Sequence, residues 1–289
     1  MTVVKTHRAR SGTLAYAEYG DPAGAPVFYF HGSPGSRLEF SRCDRTARDR
    51  KLRVVAVDRP GMGHSEYSAY TLIEHAGDLL DLADALGWQT FVAAGVSGGA
   101  VTMYSLAAVA GSRMRLGVDL TGWAPVAEHP ELARLMAPLD RIYLRLAGMG
   151  PGLFEISFSV LAWASKSQRR LVRVVRSSLS QADQEWLSQP GNARFLHTSV
   201  QEAFRRGRRG PALDAFLRYR PWGFKLRDIA VPIHLFAGTD DRFVPYPFAQ
   251  WKHRQLPNSR LEAIDGSGHL AFIDRASELI AEGISAGTM

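Results

Sequence analysis

The segment that most constrains the fold of this chain is Gly95-Val96-Ser97-Gly98-Gly99. It follows the apolar run Phe91-Val92-Ala93-Ala94 and precedes a helix-like stretch from Ala100 to Ala108. A serine between glycines at such a junction is typical of a sharp strand-to-helix turn, because a side chain at either flank would clash with neighbouring backbone. The turn also leaves the serine hydroxyl at the positive end of the helix. The segment therefore predicts a buried strand, an exposed Ser97 hydroxyl and a helix in immediate succession.

Strand-like and helix-like segments alternate on both sides of this turn. Short apolar or alternating runs predict strands, and amphipathic stretches such as Thr71 to Leu86 predict the helices between them. The predicted strands are residues 14–19, 26–30, 52–58, 91–96, 116–120, 231–236 and 261–264. Alternation of this kind is typical of an α/β fold in which helices cover both faces of a parallel sheet.

The alternation is interrupted after Pro125. From about residue 128 to residue 219 the apolar residues recur at helical spacing, as in Glu131 to Leu146, and no buried strand run occurs. The sequence therefore predicts a core domain of residues 1–126 and 225–289, interrupted by a helical cap of residues 127–224. The apolar side chains of this cap either line a pocket or pack the cap onto the sheet. The side chains in question are Phe154, Phe158, Leu161 and Trp163.

Two residues downstream of Ser97 follow predicted strands and carry side chains suited to proton transfer. Asp241 comes after the apolar run that ends at Ala237, and His269 closes the segment Gly266-Ser267-Gly268-His269. Taken singly, an aspartate after a strand is often a helix cap, and a histidine near the end of a chain is often a surface residue. The carboxyl ends of parallel strands meet at one edge of a sheet, so we expect the serine, the aspartate and the histidine to lie together there.

Five segments in this order resemble the α/β-hydrolase superfamily, from about Leu14 to the end of the chain. They are His31-Gly32-Ser33-Pro34-Gly35, residues 58–65 (DRPGMGHS), the turn at Ser97, residues 238–245 (GTDDRFVP) and residues 266–269 (GSGH). The resemblance implies a mostly parallel sheet of roughly eight strands with helices on both faces and an inserted helical cap. It also implies a serine hydrolase that cleaves an ester, thioester or lactone of a small, largely apolar molecule, with neither a metal nor an organic cofactor.

The resemblance assigns a role to each site residue. Ser97 would be the nucleophile, His269 the general base, and Asp241 the acid that orients the imidazole. Backbone N–H groups of Ser33 and Gly98 would hold the oxyanion of the tetrahedral intermediate.

Asp240 competes with Asp241 for the acid role. The family pattern places the acid three residues after Gly238 and four before Pro245, which selects Asp241. Asp240 is then a turn or cap residue.

Other activities found among such hydrolases differ from ester hydrolysis in the residues that they require. Relatives that open epoxides or displace halide carry a carboxylate at the position of Ser97, so the serine argues against both. Aminopeptidase relatives hold the substrate amine with acidic cap residues, whereas this cap is basic. Carbon–carbon bond hydrolysis and peracid formation use the same triad and stay open, as does a non-catalytic ligand-binding member of the fold.

The net charge of +7 comes entirely from residues 127–224, which contain 15 Lys and Arg against 8 Asp and Glu. Such a segment either attracts anions or forms a solvated helical face. We expect most of these arginines to face solvent, because burying unpaired guanidinium groups is costly.

Composition also limits the kinds of partner that we expect for this chain. No nucleic-acid-binding signature accompanies the basic residues, and no apolar run has the length of a membrane span. Cys43 is the single cysteine, which excludes an intramolecular disulfide and a Cys-rich metal site. The first residues contain no apolar core of a secretory signal. We therefore expect a cytoplasmic enzyme that acts on a small-molecule substrate.

Overall fold

A computed structural model describes residues 3–287 and contains one eight-stranded sheet. The strands are β1 (Lys5–Arg8), β2 (Thr13–Gly20), β3 (Ala25–Phe30), β4 (Leu52–Val57), β5 (Phe91–Val96), β6 (Met114–Leu120), β7 (Ile233–Gly238) and β8 (Ser259–Ile264). Their order across the sheet is β1-β2-β4-β3-β5-β6-β7-β8. Strand β2 pairs antiparallel with β1 and β4, and the remaining neighbours are parallel. This is the predicted α/β-hydrolase sheet.

The central strands are buried on both faces, which explains why they read as continuous apolar runs. On β3, Phe28 and Phe30 point into the larger core cluster, while Val27 and Tyr29 point into the cluster on the opposite face. All six residues of β5 are buried. The edge strand β1 is mostly exposed and has no apolar alternation, so its sequence does not predict a strand.

Helices cover both faces of this sheet. Those of the core are α1 (Asp44–Asp49), α2 (Leu72–Ala85), α3 (Gly99–Ala110), α12 (Tyr246–Gln255) and α13 (Ala271–Gly287). Helix α2 begins with a capping box, in which Thr71 and Glu74 each bind the other's backbone N–H. It ends just before Gly87, whose φ of 73° lies in the left-handed region that glycine adopts at a helix end.

The segment between β6 and β7 is helical throughout its regular structure. Its helices are α4 (Pro130–Ala133), α5 (Pro138–Met149), α6 (Pro151–Ser157), α7 (Ser159–Ala164), α8 (Gln168–Val175), α9 (Gln181–Ser188), α10 (Asn192–Ala203) and α11 (Arg209–Arg218). The stretch from Glu131 to Leu146 is divided between two helices rather than continuous. Proline at 138 disfavours helical backbone at the preceding residue and supplies no N–H, so a new helix starts there.

Some aromatic side chains of this segment are buried in its interior, and others are exposed. Phe154 and Phe158 are buried and stack on each other with ring centroids 5.5 Å apart. Tyr143 and Tyr219 contact the Phe154 ring as well. Trp163 is half exposed. Phe154 and Phe158 therefore serve as packing residues, and Trp163 contributes to the outer surface. No helix of the described part is long and apolar enough to span a bilayer.

Candidate active site

Ser97 sits on a strained turn between β5 and α3. Its φ of 54° is unusual for a residue other than glycine, and it is 8% exposed. A β-carbon added to Gly99 would overlap the carbonyl oxygen of Phe30, and one added to Gly95 would overlap the backbone of α3. The two glycines therefore let the first turn of α3 pack directly against the sheet, and this close approach holds Ser97 in its left-handed conformation.

Asp241 follows β7 and is held from three sides. Its Oδ1 accepts the N–H groups of Phe243 and Val244, each at 2.8 Å. Its Oδ2 accepts the Thr121 hydroxyl at 2.5 Å and lies 2.7 Å from Nδ1 of His269. A carboxylate this constrained fixes the imidazole ring and keeps the proton on Nδ1, which leaves Nε2 free to accept another.

Asp240, the competing acid, has a different environment. Its side chain is half-buried, and its backbone N–H donates to the carbonyl of Ser267 at 3.1 Å. Within residues 3–287 its carboxylate makes no hydrogen bond to His269. Of the two aspartates, only Asp241 reaches the histidine.

The charge around His269 favours its protonated form. Burial alone would lower the pKa of the imidazole, but the adjacent Asp241 carboxylate, together with Asp183 and Glu39, raises the pKa above its ordinary value. Asp183 lies on α9, and its Oδ1 accepts the N–H of Leu270 at 2.7 Å. The inserted helices therefore hold the loop that carries His269.

Residues at the end of β6 connect Ser97 with the Asp241–His269 pair. The carbonyl of Leu120 accepts the Ser97 N–H at 3.0 Å, and the next residue, Thr121, donates its hydroxyl to Asp241. Within the described part of the chain, Ser97 Oγ has no hydrogen bond to His269. Hydrogen bonds between catalytic groups are often long without substrate and tighten when it binds.

Ser33 and Gly98 lie side by side next to Ser97. A β-carbon added to Gly98 would lie 2.7 Å from Ser33 Cβ and 3.7 Å from the Ser33 backbone nitrogen. Among residues 3–287, neither backbone N–H donates to a protein acceptor. Two neighbouring backbone donors without a protein acceptor, one of them on the residue after Ser97, match the arrangement expected for an oxyanion hole.

A buried ion pair fixes the loop that carries Ser33. Arg59 is fully buried and donates to the carbonyls of His31 at 2.6 Å and Gly32 at 3.0 Å. Its Nε also donates to Asp214 of α11 at 2.6 Å, and the other carboxylate oxygen of Asp214 accepts the Ser33 hydroxyl at 2.6 Å. An inserted helix therefore binds the candidate oxyanion loop directly.

The residues that support the site have no recognisable signal in the sequence. Thr121, Asp183 and Asp214 come from three distant segments, and no spacing signal links them to the triad. Arg59 belongs to a segment that the resemblance includes, but the pattern assigns no partner to it.

The chain is similar to known proteins over most of its length. Residues 25–276 match the family model of the alpha/beta hydrolase fold. The uncharacterized hydrolase YugF of Bacillus subtilis is 25% identical over 283 residues, which cover 93% of this chain and 92% of the relative. A non-heme chloroperoxidase of Streptomyces lividans is 26% identical over 261 residues, or 89% of each protein. The solved esterase of Exiguobacterium antarcticum has a TM-score of 0.73 at 19% identity, over 99% of this chain and 100% of that one.

Proposed function

The chain belongs to the alpha/beta hydrolase fold family, and on that premise we propose that it is a serine hydrolase. It cleaves an ester, thioester or lactone of a small, largely apolar substrate through an acyl-enzyme. The observation that carries the proposal is the 2.7 Å contact between Asp241 Oδ2 and His269 Nδ1, at the same sheet edge as the strained Ser97 turn.

The first half of the reaction forms the acyl-enzyme. His269 Nε2 takes the hydroxyl proton as Ser97 Oγ attacks the carbonyl carbon, because the hydroxyl is a poor nucleophile at its own pKa. The negative charge that develops on the carbonyl oxygen is held by the N–H groups of Ser33 and Gly98. One such donor typically contributes about 3 kcal/mol of transition-state stabilisation. His269 then gives its proton to the departing alcohol, and the acyl group stays on Ser97.

The second half releases the acid. A water molecule attacks the acyl carbon while His269 Nε2 takes its proton, and the same two N–H groups hold the oxyanion again. The collapse of this second intermediate returns the proton to Ser97 Oγ. Throughout both halves, Asp241 keeps the imidazole in one orientation and stabilises its charged form.

The residues from 127 to 224 act as a lid in this proposal. Asp214 on α11 binds the oxyanion loop, and Asp183 on α9 binds the histidine loop. With Ser97 only 8% exposed, substrate entry requires part of this segment to open. The lid would then also decide which substrates reach the nucleophile.

Peracid formation is a second candidate, motivated by the relative named a non-heme chloroperoxidase. In that reaction hydrogen peroxide replaces water as the nucleophile on the acyl-enzyme. The products are a peroxycarboxylic acid and free Ser97, and the proton transfers through His269 are unchanged. Incubation with acetate and hydrogen peroxide, followed by titration of peracetic acid, separates this activity from simple hydrolysis.

Ester hydrolysis is tested with p-nitrophenyl esters of increasing acyl length, using the full chain. We expect turnover that depends on acyl length and that is lost in Ser97→Ala, because the turn accommodates a smaller side chain without losing the fold. Circular dichroism of the variant provides the control. Retention of a substantial fraction of wild-type turnover in Ser97→Ala would rule out Ser97 as the nucleophile.

A further inference from the structure

One basic side chain of residues 127–224 differs from all the others in its environment. Every Lys and Arg of this segment is exposed except Arg218, in the last turn of α11. The solvated arginines match the expectation from the sequence. Arg218 is the exception, and its environment therefore needs a separate explanation.

The guanidinium of Arg218 is not neutralised by an ion pair. Within residues 3–287 no carboxylate oxygen lies within 4.0 Å of it, and its one side-chain hydrogen bond is a 3.4 Å contact with the Tyr219 hydroxyl. Its Nε is buried and has no hydrogen-bond acceptor. Two carboxylates are nearby but engaged elsewhere: Asp140 accepts the Tyr219 hydroxyl at 2.6 Å, and Asp214 binds Arg59 and Ser33.

Aromatic rings hold the guanidinium in place. Its central carbon lies 4.8 Å from the centroid of the Trp123 ring and 5.0 Å from that of Tyr219. Such contacts offset part of the cost of removing a cation from water, but they satisfy none of its N–H donors. The indole N–H of Trp123 is a second buried donor that lacks an acceptor in the described part.

Arg218 lies close to the backbone N–H of Gly98, one of the two proposed oxyanion donors. A β-carbon added to Gly98 would lie 3.1 Å from Arg218 Nη1. Two bonds of about 1.5 Å join that β-carbon to the Gly98 nitrogen, so Arg218 Nη1 lies within roughly 6 Å of the N–H that would hold the oxyanion. An acceptor bound to Arg218 would therefore belong to the substrate, a few bonds from its scissile carbonyl.

We propose that Arg218 is a substrate-binding residue and that the natural substrate is an ester or lactone carrying a carboxylate group close to the scissile carbonyl. The inference rests on the proposed hydrolase function and specifies its substrate class. A carboxylate is the acceptor that matches the fork of a guanidinium, because it takes two parallel N–H bonds. The Nε of Arg218 is buried and has no acceptor among residues 3–287, so a bound carboxylate would pair a donor that water does not reach.

Selectivity in turnover is the first measurement. The p-nitrophenyl monoester of glutarate is compared with p-nitrophenyl pentanoate, which has the same acyl length and no charge, after subtraction of spontaneous hydrolysis. We expect wild-type kcat/KM to favour the glutarate ester, and the ratio of the two values to fall at least thirtyfold in Arg218→Met. Arg220→Met removes an exposed arginine two residues away and should leave the ratio unchanged.

Binding is the second measurement, and it does not depend on turnover. In the Ser97→Ala background, calorimetric titration with monoethyl glutarate and with diethyl glutarate should give tighter binding of the monoanion. Adding Arg218→Met should remove that preference, whereas Arg218→Lys should keep part of it, because the charge remains but the fork is lost.

The outcomes separate this inference from the proposed function. Hydrolysis of the pentanoate ester through Ser97, with no preference for either anion in turnover or binding, would overturn the substrate class alone. An equal loss of kcat for both esters in Arg218→Met would assign Arg218 to the oxyanion instead and would also overturn it. If neither ester is hydrolysed, the proposed function fails, and the titration still decides whether Arg218 binds a carboxylate.

Discussion

At the scale of single residues, the candidate site depends on close approaches that glycine permits. Gly95 and Gly99 bring the first turn of α3 against the sheet, and the φ of 54° at Ser97 follows from this packing. Thr121, with a φ of 48°, has a similar conformation at the end of the neighbouring strand β6. The two residues place their hydroxyl groups at one edge of the sheet, where Thr121 binds the Asp241 carboxylate.

Replacing Asp241 by asparagine should reduce kcat by roughly 10³ to 10⁴-fold, because an amide holds the wrong tautomer of His269. Asp240→Asn is the matched control, since it changes a neighbouring aspartate that does not contact the histidine. Its effect should stay within about twofold, as for a surface substitution. Steady-state kinetics with a neutral p-nitrophenyl ester measures both, and a larger loss in Asp240→Asn would mean that the acid is misassigned.

The pH dependence of kcat/KM should follow the raised pKa of His269. The general base acts in its neutral form, so activity is lost as the pH falls through this pKa. Because Asp241 raises the pKa, we expect the midpoint of the acid limb to lie above 6.5. In Asp241→Asn the acid limb of the residual activity should have a lower midpoint. Burial lowers the pKa of His269, and the carboxylate that raises it is then absent. If the midpoint is the same in the two proteins, the acid limb of the pH profile does not report the titration of His269.

At the scale of elements, helix α11 connects the inserted segment with the catalytic edge of the sheet. Asp214 and Arg218 lie one helical turn apart, so they share a face of α11, and that face meets the loops of Ser33 and Gly98. In the ion pair between Asp214 and Arg59, the Asp214 side chain is 9% exposed and the Arg59 side chain is 0% exposed. In the proposed enzyme, a helix fixed in this way would couple the position of residues 127–224 to the geometry of the Ser33 and Gly98 N–H groups.

Asp214→Ala should lower the free energy of unfolding by about 3 to 5 kcal/mol, because it leaves the buried Arg59 cation uncompensated. The matched control is Asp84→Ala, which breaks a pair with Arg113 at the same 2.6 Å distance but with 64% and 30% exposure. Solvent-exposed pairs of this kind contribute about 0 to 1 kcal/mol. Urea unfolding of the three proteins measures the difference, and equal losses in both variants would argue against the anchoring role of Asp214.

At the scale of the whole molecule, the sheet could be predicted better than the site. The central strands are apolar because they are buried on both faces, so 26–30, 91–96 and 231–236 were predicted within two residues of the observed bounds. The placement of β4 between β2 and β3 depends on long-range packing that no local pattern encodes. The edge strand β1 was missed because an exposed strand needs no apolar alternation.

The site could be predicted only where the motifs are local. The sequence pointed to Ser97, Asp241 and His269 through strand ends and chain order. It did not point to Arg218, because a partly buried arginine and a solvated one look alike in an arginine-rich sequence. Only the packing of α11 against the loop at Gly98 distinguishes it from its exposed neighbours.

The distribution of charge over the molecule predicts different salt responses for neutral and anionic substrates. The arginines on the outside of the inserted segment are screened by salt, and a neutral ester does not interact with their field. Its kcat/KM should therefore change by less than about twofold between 50 and 500 mM NaCl. The kcat/KM of the glutarate monoester should fall severalfold over the same range. Equal responses of the two esters would contradict this expectation.

Covalent labelling shows whether Ser97 is a nucleophile activated by the Asp241–His269 pair. Wild-type protein is incubated with a fluorophosphonate, its intact mass is measured, and the labelled peptide is sequenced by tandem mass spectrometry. We expect one adduct per chain, on Ser97, with labelling much slower in Asp241→Asn and absent in Ser97→Ala. A wild-type protein that takes no label, or that takes it on a serine other than Ser97, would show that Ser97 is not the activated nucleophile.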